Sequence, residues 1–168
     1  MSRAFVKETD GEQSGDQLPD LPISAHPNYL TAGGLAKLEA RRAALQAERA
    51  QLVAGGDAFA HASHSARLDQ EIRYLDARIA SALPVDPKTI DHAVVGVGAA
   101  VTVQDTGGAS HHYHIVGEDE ADADHGLISW VSPLAKALMG RRVDDRVVWK
   151  RPRGDLELDI VEIRYPDA

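Results

Sequence analysis

Apolar residues recur at two different periods along this chain, and the change of period divides it. Leu35, Leu38, Leu45 and Leu52 follow one another at spacings of 3, 7 and 7, which sets them on one stripe of a helix. Arg42 and Arg49 fill intervening stripe positions, where a long aliphatic stem covers apolar surface while the charge reaches water. Leu68, Ile72, Leu75, Ile79 and Ala82 then recur at spacings of 4, 3, 4 and 3, a heptad seam. Gly55-Gly56 separates the two runs, and glycine both weakens a helix and permits left-handed turn geometry. Helices buried in a larger core carry a broader apolar face than these narrow seams. The pattern therefore predicts a protruding antiparallel coiled-coil hairpin over residues 29–84. Thr31 is placed to cap the first helix by accepting a first-turn amide. The second helix is expected to start near Asp57 or Ser63 and to end at Pro84.

Beyond residue 90 the period falls to two. Val94-Val95, Val97, Val101 and Val103 are β-branched, Asp105-Thr106-Gly107-Gly108 reads as a turn, and His112, His114 and Val116 alternate with Tyr113 and Ile115. Leu127 to Val131 is a further short apolar strand. Ser132-Pro133 suits the first turn of a helix, where proline loses no amide partner. Leu134, Ala137 and Leu138 give that helix an inner face, and Gly140 ends it. Val147 to Trp149 and Leu156 to Ile163, joined by a Pro152-Arg153-Gly154 turn, complete the set. Residues 90–168 thus read as an α+β domain, a small antiparallel sheet carrying one helix.

Residues 1–28 are rich in Asp, Glu, Gln, Ser, Gly and Pro, a composition that buries too little surface to offset its ordering entropy. They read as a flexible acidic tail, in which Leu21-Pro22-Ile23 and the run from His26 to Leu30 are the stretches able to pack. The net charge of −8 divides as −3 over residues 1–30, +1 over 31–83 and −6 over 84–168. An acidic chain repels nucleic-acid phosphates, and Lys150-Arg151-Pro152-Arg153 is too short a basic stripe to reverse that. A protein partner is expected in place of direct nucleic-acid binding. With zero cysteines, disulfides and thiolate zinc sites are excluded. No apolar run approaches the roughly 20 residues needed to span a bilayer, and the first residues lack the apolar core of a secretory signal. The expectation is a cytoplasmic, bacterial-type monomer.

The last third carries a resemblance. Tyr113-His114-Ile115-Val116-Gly117-Glu118-Asp119-Glu120, then Ile128-Ser129, Ser132-Pro133-Leu134-Ala135-Lys136-Ala137-Leu138 and Val143-Asp144-Asp145 resemble, in the same order, the C-terminal domain of the GreA/GreB transcription elongation factors. Val161 to Tyr165 resembles the closing strand of that family, and Arg73-Tyr74-Leu75 with Val85-Asp86 resembles GreB. The resemblance implies an FKBP-like C-terminal domain seated at the rim of the RNA polymerase secondary channel, with the coiled coil pushed inside as a finger. It also implies, for the family, a fingertip D-x-x-E carboxylate pair that helps hold a second magnesium ion, which activates water to cut backtracked RNA. The docking surface it suggests here is Ser132 and Pro133 at a helix start, with Glu118, Asp119 and Glu120 on the preceding loop.

The fingertip departs from that pattern. It runs from Val53 through Gly55-Gly56-Asp57-Ala58-Phe59-Ala60-His61 to Ser65. Setting Gly56-Asp57 on the family's Gly-Asp puts Ala60 where the second carboxylate belongs. Each arm also reads about a heptad shorter than in GreB, roughly 10 Å of reach at 1.5 Å per residue, whereas magnesium needs its ligands at about 2.1 Å. The leading expectation is a non-enzymatic, polymerase-binding elongation regulator that does not stimulate cleavage and needs no cofactor or metal. Two others stand beside it: a genuine cleavage factor using Asp57 with Asp69, and a regulator of nucleoside diphosphate kinase like Rnk, whose shortened coil is similar.

Three further clusters have simpler readings. Asp57, His61 and His64, at spacings of 4 and 3, could face one metal, but they also fit a solvated tip. Of His111, His112 and His114, only His112 and His114 share a strand face, and one imidazole pair is a poor metal or pH-sensing site. The acids from Glu118 to Asp124 lack the glycine and final glutamate of a calcium loop. An aromatic content of 5% leaves no aromatic-lined pocket for a prolyl isomerase.

Overall fold

Thr31 opens the first helix as its sequence position demands: its hydroxyl accepts the Gly34 amide at 2.9 Å. In the computed structural model, which describes residues 17–55 and 58–166, helix α1 spans Ala32–Ala54 and α2 spans Ala58–Ala80. At 23 residues each, both run about 34 Å. Leu38, Leu45, Leu68 and Leu75 are buried between them, with Leu35, Leu52, Ile72 and Ile79 half-buried alongside, so the two seams read from the sequence do meet. The second helix stops at Ala80, ahead of Pro84, because the chain turns there into a strand.

That strand closes the neck of the hairpin. β1 (Tyr29–Leu30) pairs in parallel with β2 (Leu83–Pro84), Tyr29 against Leu83 and Leu30 against Pro84. Leu30 is fully buried at this point, capping the coiled-coil core from below.

The second part is a five-stranded sheet in the order β5-β4-β3-β7-β6, formed by β3 (Ala100–Asp105), β4 (Ser110–Val116), β5 (Leu127–Ser129), β6 (Arg146–Trp149) and β7 (Leu156–Arg164). Helix α3 (Pro133–Leu138) lies across one face, where Leu134 and Leu138 pack on Val101, Val103, Ile115, Val147, Leu158 and Ile160. The other face carries no helix, and on it Ala100, Thr102, His112, His114, Glu162 and Arg164 share register. The pairing shifts between Thr102 and Val103, so that Val161 bulges from β7.

Two strand expectations change. The sheet is mixed rather than antiparallel, because β5 runs parallel to β4 (Ile115 against Ile128) after a crossover through the short 3₁₀ turns at Glu118–Glu120 and Ala123–His125. The strand expected from Val94 begins only at Ala100. Val95 is buried but spends its backbone groups on Gly140 and Arg141 beyond α3, so it ties the helix end to the sheet instead of extending a ladder.

The tail expected as far as residue 28 is in contact from residue 18 onward. Arg73 donates to the Asp20 carboxylate at 2.6 Å and to the Leu18 carbonyl at 2.8 Å, and Gln70 donates to Pro19. His26 and Tyr29 meet Trp130 edge-on, with centroids 5.9 and 5.3 Å away. The tail through residue 16, like Asp57, lies outside the described residues.

Candidate functional site

The two ends of the hairpin hold every site residue singled out from sequence except Ser132 and Pro133. At the tip, α1 closes with the Gly55 amide on the Gln51 carbonyl at 3.1 Å, and α2 starts two residues after Gly56. His64 is engaged across the hairpin: its Nε2 lies 2.9 Å from a Glu48 carboxylate oxygen, with both side chains about half exposed. His61 lies in the first turn of α2, in a stretch whose side chains are outside the described residues. Among the described residues no three His, Cys, Asp or Glu side chains converge on a common metal position.

From residue 50 to residue 66 the only formally charged side chain is Asp57. Asp69, the other carboxylate considered for the tip, sits 11 positions after Ala58 in α2, which places it about 16 Å down the helix axis. It is ion-paired there with Arg49. Among the described residues of the tip, 50–55 and 58–66, there is thus no carboxylate that could serve as a magnesium ligand.

The base of the hairpin is a polar joint, and it holds the acids read as a docking loop. Glu120 accepts the Thr31 amide at 3.0 Å and the Gly117 amide at 2.9 Å, and the Thr31 hydroxyl donates to its second oxygen. A carboxylate there also faces the positive end of α1, which favours it. Asp119 accepts the Tyr74 hydroxyl at 2.6 Å and the Arg78 Nε–H at 2.5 Å. Arg78 is only 1% exposed, and its carbonyl accepts the Asn28 side-chain amide at 2.6 Å. One Glu118 carboxylate oxygen is buried without a hydrogen-bond partner, 3.8 Å from the Arg78 guanidinium. Burial, and next the hydrogen bond to Asp119, push the Tyr74 phenol up to about 12.

The joint is close enough to demand glycine twice. A Cβ on Gly34 would lie 2.0 Å from the Glu120 carboxyl carbon, and one on Gly117 would lie 2.4 Å from the Tyr29 carbonyl oxygen. Arg78, Tyr74, Gly34 and Gly117 are not among the site residues read from the sequence; Tyr74 and Gly117 enter there only through the family resemblance, and no local spacing marks the joint.

Ser132 caps α3 by accepting the Ala135 amide at 3.2 Å and is half-buried, while Pro133 is exposed. Neither touches the hairpin joint through a hydrogen bond. Among the described residues no helix is long and apolar enough to cross a membrane.

A helical hairpin clasped at its neck and locked by acids to a curled sheet defines a two-part molecule. The family model for the C-terminal part of transcription elongation factors GreA and GreB matches residues 90–165. Transcription elongation factor GreA of Sphingopyxis alaskensis is 36% identical over 149 residues, covering 81% of this chain and 94% of the relative. Transcription elongation factor GreB of Pseudomonas aeruginosa is 39% identical over 101 residues, 60% of each chain. The crystal structure of GreA factor homolog 1 from Thermus thermophilus superposes with a TM-score of 0.40 at 22% identity, over 83% of this chain and 99% of that one. The chain belongs to the GreA/GreB transcription elongation factor family.

Proposed function

We propose that this chain binds bacterial RNA polymerase at the rim of the secondary channel, inserts its hairpin, and regulates elongation without stimulating transcript cleavage. The observation that carries the second half is the lone tip carboxylate: Asp57 has no acidic neighbour before Glu48 on one side or Asp69 on the other. Family membership supports the first half, since relatives named for transcription elongation share most of the chain. Ser132 and Pro133 remain the residues proposed for docking, because Pro133 is exposed at the start of α3. Of the three loop acids, Glu118 is the one proposed to reach the polymerase, because its side chain is 22% exposed against 11% for Asp119. Asp119 and Glu120 act on the partner indirectly, by fixing the angle at which the hairpin leaves the sheet.

On this reading the chain performs no chemistry of its own, and its effect comes from occupancy of the channel. Stalled elongation complexes with backtracked RNA test it. The wild-type chain is expected to leave transcript length unchanged while slowing cleavage by an added cleavage-competent Gre factor. Cleavage by the wild-type chain that disappears in Asp57→Ala would overturn the non-cleaving assignment and leave the docking assignment standing.

A further inference from the structure

The end of the sheet farthest from the hairpin is cationic, although the domain around it is acidic. Residues 84–168 carry −6, and with the +3 of Lys150, Arg151 and Arg153 set aside the remainder is −9. These cations sit on the turn between β6 and β7, where Gly154 donates its amide to the Arg151 carbonyl at 3.0 Å and Pro152 presets the first turn torsion. Arg142, Arg146 and Arg164 of the same domain each hold an acid. None of the turn's cations is in an ion pair among the described residues. Lys150 and Arg153 are exposed, and Arg151 is half-buried. The Arg151 Nε–H donates to the Gly154 carbonyl at 3.2 Å, and its guanidinium lies 5.2 Å from the centre of the Trp149 ring. A guanidinium already stacked and hydrogen-bonded loses little freedom when it meets an anion.

The strand register sets this turn apart from every residue tied to the hairpin. Trp149 pairs with Leu156 at one end of the sheet, while Ala100 pairs with His114 and Arg164 at the other, next to the joint at Gly117. β5 runs parallel to β4, and the Ser132 amide donates to the Ser129 carbonyl at its end, so Ser132 and Pro133 also lie at the joint end. A partner gripping the neck therefore leaves the turn open to a second one. Tryptophan and arginine are the side chains that anchor protein interfaces, and a guanidinium grips a carboxylate through two parallel N–H donors. The flanks limit what else fits. Asp155 is exposed beside the turn, and Glu157 and Asp159 share the single Arg146. A nucleic-acid strand, charged at every nucleotide, would run its phosphates onto those acids. A short acidic stretch of protein sets its carboxylates on the turn alone.

We propose that Trp149, Lys150, Arg151 and Arg153 form a docking surface for a short acidic segment of a partner protein, at the end of the sheet away from the hairpin. The probe is a hexaglutamate peptide, titrated into the full chain in about 0.1 M salt to screen distant charges, while the Trp149 indole N–H NMR signal is followed. A saturable shift is expected, with affinity at least about tenfold lower in Lys150→Gln/Arg151→Gln/Arg153→Gln. Lys88→Gln/Lys136→Gln/Arg141→Gln removes the same charge from elsewhere in the domain and is expected to bind within about twofold of wild type. Arg151→Lys keeps the charge but loses the planar fork, and is expected to bind at least about threefold more weakly. That single variant also serves as the test if the triple variant melts differently from wild type. No saturable shift, equal losses in the two triple variants, or wild-type affinity in Arg151→Lys would overturn the proposal. So would tighter binding of a thymidine hexanucleotide, which would make this a nucleic-acid surface, or self-association without peptide that shifts the same indole signal.

Discussion

At its base the hairpin is held by buried charge, and at its tip it carries almost none. The base sets Arg78, Asp119, Glu120, Tyr74 and Thr31 against one another within hydrogen-bonding distance and mostly out of water. Between base and tip the arms are laced by exposed pairs, Arg41 with Glu71, Arg42 with Asp76 and Arg49 with Asp69. Over the last turns only Asp57 is formally charged. Buried pairs fix geometry because removing one partner strands the other in a poor solvent, whereas exposed pairs contribute little and are screened. The hairpin is thus rigidly aimed where it joins the sheet and chemically quiet where it ends.

The largest way to break that contrast is at Arg78. Arg78→Met, which keeps much of the volume and strands Asp119 and Glu118, is expected to lose roughly 3–5 kcal/mol in urea unfolding. A loss under about 1 kcal/mol would mean that the base is no firmer than the ladder above it. The two glycines of the joint come next. Gly117→Ala forces backbone apart and is expected to lose about 1–3 kcal/mol. Gly34→Ala sharpens the comparison by sign: helix propensity alone favours alanine by about 1 kcal/mol, yet the Cβ must evict Glu120 and free the amides it holds. A net loss is expected in the wild-type chain and a net gain in a Glu120→Ala background, both read from denaturant midpoints.

Smaller again is the effect of alkali. The Tyr74 phenol, whose folded value of about 12 lies above the ordinary 10.0, favours the fold in its neutral form. Its contribution is complete below about pH 10 and lost as pH rises through about 12. Melting temperatures across that window are expected to fall more steeply for the wild type than for Tyr74→Phe. The smallest effect belongs to the ladder: a double-mutant cycle of Arg49→Ala and Asp69→Ala is expected to give a coupling below about 1 kcal/mol, and added salt should shrink it further.

The same contrast explains which features could be read from sequence. The heptad spacing of Leu68, Ile72, Leu75 and Ile79, the Thr31 cap and the Ser132-Pro133 helix start depend on neighbours within a few residues, and all three are found in the fold. The roles of Asp119 and Glu120 depend on Arg78, Tyr74 and Thr31, from 41 to 89 positions away, and no local period records such a meeting. An acidic run therefore read as a solvent-facing loop when two of its members are internal ligands. The parallel pairing of β5 escaped for a similar reason: its crossover is made of two 3₁₀ turns, too short to announce a crossover helix in the sequence. Asp20 and Leu18, gripped by Arg73 across more than fifty positions, could not be told from tail by composition.

The parallel clasp of Tyr29–Leu30 on Leu83–Pro84 gives the molecule a modular anatomy. Everything between residues 35 and 73 is an excursion whose two stems are fixed below it at the neck and the polar joint, so the platform never senses how far the excursion travels. Taking one heptad from each arm would carry the summit about 10 Å nearer the neck and return every leucine to the same partner row. Reach can thereby be retuned in whole-heptad steps while the attachment stays untouched.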